Sequence, residues 1–288
     1  MNFWKIVKEV STQPIRQEAE RPFLLGIAGS PSFVAAAVDV LVGLDATPQE
    51  RLLAEARLVR AEAPAGVEAI AALSRCDLVL AGPDAPEPAR IRPAEVIPLV
   101  DPALAPQLLL ERRPDWLLAL ARNLPGLRLR VAERIIQNFS KVNAEFALVS
   151  AVPQAVPIIA PLFPAAAGAD ILILTKNQVM MVLRLAAAFG RTPEPRARLR
   201  EIAPIIGTAF GWRSLAREMV GLVPGGVGMA LKAMVAYAGT FVTGRAAVFY
   251  YLVGRRPTRI ELRGMRRDAT RRARTAVQEA LETLKRSD

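Results

Sequence analysis

Strand, glycine-bearing turn, helix is how a phosphate-binding unit begins, and residues 22–42 follow that order: PFLLGIAG, then PSFVAAAVDVLV. A nucleoside-triphosphate loop needs Gly-x-x-x-x-Gly-Lys-Ser/Thr. Glycine lets backbone amides face the phosphates, lysine reaches the β and γ oxygens, and the hydroxyl holds magnesium. With Gly26 as first glycine the last three positions are Pro31, Ser32 and Phe33; with Gly29 first they are Val34, Ala35 and Ala36. Neither register supplies the lysine or the metal-binding hydroxyl. What the stretch can offer is an anion contact through the backbone amides around Gly26, Gly29 and Ser30 at a helix start.

Other chemistry is limited by what the chain lacks. It contains no histidine and one cysteine, Cys76, so imidazole catalysis, histidine metal sites and an intrachain disulfide are all excluded. Cys76 precedes Asp77 in an apolar run and reads as a small buried hydrophobe rather than a nucleophile. Asp84, just past the run CDLVLAG, lies where α/β ligand sites often form, but a single carboxylate there reads as a turn residue. Asp101 follows the run EVIPLV without the Asn-Lys-x-Asp base reader of GTPases. No paired carboxylates stand at a catalytic spacing. The expectation is a protein without an enzymatic centre, a metal or a cofactor.

The elements that would carry these residues fall into two kinds. Residues 22–100 alternate short apolar runs with helical segments, which predicts an α/β unit with a parallel sheet. Thr47-Pro48 is a helix start, with RLVRA after it a candidate strand, and Gly66–Arg75 is a further helix. Pro125-Gly126 is the expected boundary. Beyond it come long helices: residues 127–152, a helix after Asp170 ending near Gly190, and residues 229–254. Ile173, Gln178, Met181, Leu185 and Ala188 share one face of the second. The expected divisions are residues 1–21, an amphipathic segment containing Phe3, Trp4, Ile6, Val7 and Val10 and no cleavable signal pattern; 22–125; 126–254; and 255–288.

Hydrophobic residues make up 52% of the chain and mean hydropathy is +0.26, yet 23% of residues are charged. That combination argues against a multi-span transporter and for a membrane-associated protein or a very apolar helical one. From Phe146 to Ala169 there are 24 residues without a charge, long enough to cross a bilayer. Pro153, Pro157, Pro161 and Pro164 break that run, so a proline-interrupted hairpin or half-buried helix pair is expected. Residues 219–253 are the second apolar segment, interrupted by Lys232 and Arg245, and together with residues 146–169 they are the expected membrane-facing elements.

Net charge is +11, which favours anionic partners. Residues 255–288 hold 11 Lys and Arg against 5 Asp and Glu. Leu262, Met265, Ala269, Ala273, Val277 and Leu284 form an apolar stripe along them, the mark of a basic amphipathic helix. Arg263, Arg266, Arg267, Arg271, Arg272 and Arg274 crowd its first half. Beside apolar segments the pattern suits anionic headgroups. A nucleic-acid partner is disfavoured, because no aromatic stacking platform accompanies the arginines.

Residues 128–254 resemble the uncharacterised hydrophobic helical domain often attached to Era-like GTPases in bacteria. The match rests on AERIIQNFSKVNAEFALVSAVP, on Asn177 to Ala186 (NQVMMVLRLA), and on Ala236, Tyr237, Thr240 and Gly244 to Ala246. The resemblance implies a helical, membrane-associated domain with no established activity, here behind a shortened, degenerate G-domain-like region. The expected class is therefore α/β plus all-α: a small degenerate P-loop-like parallel domain, then a hydrophobic helical domain. The expected role is a non-catalytic protein at the cytosolic face of the cytoplasmic membrane. Phe146, Ile158, Ile159, Leu162, Phe163, Arg266, Arg267, Arg271 and Arg272 would contact lipid, and a protein partner or a second copy is the other expected contact. The alternatives are a GTPase-like protein that keeps weak nucleotide binding, and a soluble helical scaffold whose apolar runs are core.

Overall fold

The computed structural model describes residues 10–85, 95–150, 166–198 and 228–287. These fall into two compact units. Among the described residues, one comprises 13–85, 95–131 and 187–192; the other comprises 10–12, 132–150, 166–186, 193–198 and 228–287.

The first is an α/β unit. Its helices are α1 (Gln13–Ala19), α2 (Pro31–Val42), α3 (Pro48–Glu55), α4 (Val67–Leu73), α5 (Ala105–Arg112) and α6 (Leu117–Asn123). Its strands are β1 (Leu25–Gly29), β2 (Leu58–Glu62), β3 (Leu78–Ala81) and β4 (Glu95–Pro98). They form one parallel sheet in the order β2-β1-β3-β4. Leu25 stands opposite both Leu58 and Leu78, so β1 lies at the centre. Central parallel strands are covered on both faces and read as continuous apolar runs. Every residue of β1 and β3 is accordingly buried, whereas the edge strands alternate with exposed Arg60, Glu62 and Glu95. Pro98 is tolerated because β4 is an edge.

Local chemistry fixes the helix starts. Ser30 caps α2, its hydroxyl accepting from the Phe33 amide, and Pro31 occupies the first helical position. Thr47 and Glu50 form a reciprocal capping box at α3. Glu50 also pairs with Arg128, whose Nε donates to the Ala121 carbonyl at 3.3 Å. Burial alone would raise the Glu50 carboxyl; Arg128 and the Thr47 hydrogen bonds outweigh it and hold the group below its ordinary range. Away from the sheet, Trp116 is buried with its ring stacked on Phe23 at 5.5 Å and the Arg113 guanidinium 3.5 Å from its centre.

The second unit is helical. Among the described residues it holds α7 (Arg128–Val149) from Ala132 onward, α8 (Ala166–Ala188) to Ala186, α9 (Gly228–Val253) and α10 (Arg259–Ser287). A buried polar network joins three of them. Asn143 donates to Thr240 at 2.8 Å and accepts from Asn177 at 2.7 Å, and Gln178 reaches the same threonine at 3.4 Å. Thr240 in turn donates to the Ala236 carbonyl at 2.8 Å. Gly244 brings α9 against α7, because a Cβ there would lie 2.6 Å from Ile136 Cγ1. Glu133 receives Arg245 at 3.4 Å and Arg272 at 2.9 Å, so one carboxylate ties α7 to both α9 and α10.

The mixed architecture expected from the sequence is therefore present: a small parallel sheet with helices, plus a helical unit. One expectation needs correction. Residues 219–253 are expected to face a membrane, but in the described part protein covers most of the helix, with Leu252 and Val253 exposed at its end. Ala233, Ala238, Phe241, Val242, Ala246 and Ala247 of α9 are all fully buried. No helix among the described residues is long and apolar enough to cross a membrane. Residues 151–165, the core of the other apolar run, lie outside the described residues, as do 199–227.

Candidate anion-binding face

In an open parallel sheet the ligand crevice lies beyond the carboxyl ends of the strands, where the chain switches sides. Here that point is between β1 and β3. The connection from β1 to α2 is a single residue, Ser30, too short to wrap a phosphate. The Ser30 hydroxyl is used by the cap and lies 3.2 Å from that of Ser32. Phe33 fills the crevice: added Cβ atoms would meet its ring at 2.8 Å from Gly29 and 2.9 Å from Gly82, the residues ending β1 and following β3. Gly26 is not a loop residue at all. It sits mid-strand with Leu73 and Val79 against it, where a Cβ would come within 2.8 Å of either. The anion contact expected of Gly26, Gly29 and Ser30 is thus corrected to a packing role for the glycines and a capping role for the serine.

The remaining candidates on this unit are also structural. Cys76 is buried, and burial pushes its thiol up to about 11, so little thiolate forms at neutral pH. Asp101 accepts from the Ala103 amide at 2.9 Å as a cap, and Asp84 is exposed. Phe33→Ala should lower unfolding free energy by about 3 kcal/mol through loss of buried ring area. Calorimetry of the intact protein with GTP or GDP and magnesium should be flat; a saturable titration would restore the nucleotide-binding alternative.

The helical unit presents a different surface. Arg263, Arg267, Arg271 and Arg274 are all exposed on α10. Their spacing of four, four and three residues puts them on one side of a helix. The opposite side docks through Ala269, Ala273 and Val277, which are buried, as the apolar stripe predicts. Arg271 gives Nη2 to Asp268 at 2.7 Å. Arg263, Arg267 and Arg274 have no ion pair or hydrogen bond among the described residues.

The structure sorts the expected lipid contacts accordingly. Arg267 and Arg271 belong to the open face. Arg272 turns inward: it bonds Glu133 and Asp268, and its guanidinium lies 5.1 Å from the centre of the Phe241 ring. Arg266 is half-buried. Both are corrected from surface contacts to packing positions, because each side chain is drawn towards the helix body. Arg263 and Arg274 complete the face in their place, and the helical spacing was the signal that could have selected them. Phe146 is half-buried; Ile158, Ile159, Leu162 and Phe163 lie outside the described residues.

The residues that carry the family resemblance meet in the buried network. Asn177, Gln178 and Thr240 bond to Asn143 or to each other, and Gly244 makes the close approach to α7. They hold helices together and supply no reactive group. Compared with family models, curated proteins and solved structures, the chain matches none.

Proposed function

We propose that the chain is a non-catalytic, membrane-associated protein whose helical unit binds the anionic surface of a bilayer through α10. The exposed arginine face carries this reading: four arginines are exposed on one side of α10, and three have no partner among the described residues. Anionic lipid surfaces attract such clusters by about 1 kcal/mol, roughly fivefold in affinity, for each basic residue close to them. The attachment is interfacial, along α10, a reading supported by the burial of most of the described part of α9 against protein. The α/β unit is a shortened, degenerate nucleotide-binding-like domain, which the filled crevice and the missing lysine support. The helical unit belongs with the domains attached to Era-like GTPases, and the site of action is the cytosolic face of a bacterial cytoplasmic membrane.

Fractionation tests the reading in cells. The full-length protein should sediment with membranes in low salt and be released in part by high salt, which screens exposed charges within a few ångströms. Recovery in the supernatant at low salt, without detergent, would sink it.

A further inference from the structure

Beside the arginine face, α7, α9 and α10 enclose an open cleft of about 430 Å³ lined by Lys141, Tyr237, Arg271, Arg272, Thr275 and Glu279, with Ala276 in its wall. The lining carries three cations against one carboxylate. Two of the cations are held in place from behind. Asp268 accepts from Arg271 at 2.7 Å and from Arg272 Nε at 3.2 Å, and Glu133 accepts from Arg272 Nη1 at 2.9 Å. A guanidinium has five N–H donors, so both arginines keep donors free after these bonds. Lys141 is exposed and has no ion pair among the described residues.

Tyr237 is the informative member. It is only 3% exposed, its ring stacked on Phe241 at 6.1 Å, yet its hydroxyl makes no hydrogen bond among the described residues. The phenol oxygen reaches the open cleft rather than the closed interior. Burial raises the phenol above its ordinary value, with Arg272 opposing and Glu133, Asp268 and Glu279 adding to the rise. Its hydroxyl is thus a donor on the cleft wall, open to an acceptor that enters. Thr275 adds a second hydroxyl. The cleft continues between α7 and α10 as a narrower groove of about 180 Å³ that shares Lys141, Ala276 and Glu279 and adds Ala144, Glu145 and Ala280. Three alanines give that extension an apolar floor.

We propose that this cleft binds a phosphomonoester, the phosphate between Lys141, Arg271 and the Tyr237 hydroxyl and the ester carbon directed along the alanine groove. A phosphate supplies acceptors for the phenol and for the guanidinium donors that Asp268 and Glu133 leave unused, and Lys141 adds a cation with no ion pair among the described residues. The site deepens the membrane reading but does not depend on the same residues, because the outer arginines Arg263, Arg267 and Arg274 do not line it.

Isothermal titration calorimetry of the full-length protein in non-ionic detergent provides the test, with glycerol 3-phosphate, short-chain phosphatidic acid and inorganic phosphate as probes. Saturable binding of a phosphomonoester is expected, weakened roughly fivefold by Tyr237→Phe and at least about tenfold by Lys141→Gln. Tyr237→Phe should leave the melting temperature unchanged, since the hydroxyl has no partner to lose. Binding of phosphatidic acid alone assigns a lipid headgroup; equal binding of glycerol 3-phosphate assigns a free phosphoester. Absence of saturable binding to any probe, or binding that both variants leave intact, overturns the site. The triple variant Arg263→Gln, Arg267→Gln, Arg274→Gln separates the two ideas: it should lose vesicle binding and keep the phosphomonoester.

Discussion

Replacing Gly126 by alanine is expected to destabilise the α/β unit by about 3 kcal/mol, a large effect for one added methyl group. The new Cβ would stand 2.1 Å from the Val40 carbonyl oxygen and 2.7 Å from that of Leu41. These are backbone atoms at the end of α2, so no rotamer change relieves the contact. The same approach shapes the helix end itself. Gly43 closes α2 with φ +84°, a conformation that favours glycine, and a Cβ on it would be 3.5 Å from Gly126. Chain direction at this corner is thus set by two glycines back to back. Gly264→Ala provides the opposite sign. Gly264 lies inside α10 with nothing within 4 Å of an added Cβ, so alanine should stabilise by about 1 kcal/mol through helix propensity. Urea unfolding of the two variants measures both. A Gly126→Ala protein as stable as the parent would contradict the close packing of α2 on the turn at residues 125–127.

Asn143→Leu is expected to cost about 3 kcal/mol in the helical unit. The substitution removes an acceptor for Asn177 and a donor to Thr240 while keeping a γ-branched side chain. Each group left unbonded in the interior carries a penalty of about 1–3 kcal/mol. Asn143 and Thr240 are wholly buried, so water offers little relief. The double substitution Asn143→Leu, Thr240→Val should be less damaging than the sum of the two singles, since it removes partners together. Chemical unfolding followed by circular dichroism reads the coupling. Additive losses would mean that the four polar side chains do not act as one network.

Much of the α/β unit can be read from local residue order. The apolar runs at β1 and β3, the Ser30-Pro31 start and the Thr47-Pro48-Glu50 start each act over a few residues, and hydrophobic pattern and capping chemistry suffice to place them. The same holds for the apolar stripe of α10. The closure of the crevice is of another kind. Phe33 blocks it only because β3 pairs beside β1, which brings Gly82 next to Gly29, and strand order is not a local property. The inward turn of Arg272 depends on Glu133, 139 residues away in sequence. Hydropathy likewise cannot distinguish lipid from protein as the cover for α9, because both are apolar; the burial of Phe241 and Val242, with Arg272 of α10 over the Phe241 ring, makes that distinction. Tyr237 carried no signal beyond its place in the family-bearing stretch. Its interest arises where a cleft in the helical unit meets an unpaired hydroxyl.

The most direct test of the membrane proposal is flotation of the full-length protein with vesicles of phosphatidylcholine alone and with phosphatidylglycerol added. The protein should float with the anionic vesicles and not with the neutral ones. The variant Arg263→Gln, Arg267→Gln, Arg274→Gln should bind roughly a hundredfold or more weakly at low salt, with unchanged circular dichroism. Binding that is indifferent to lipid charge, or that survives the triple substitution at full strength, would contradict attachment through the arginine face of α10.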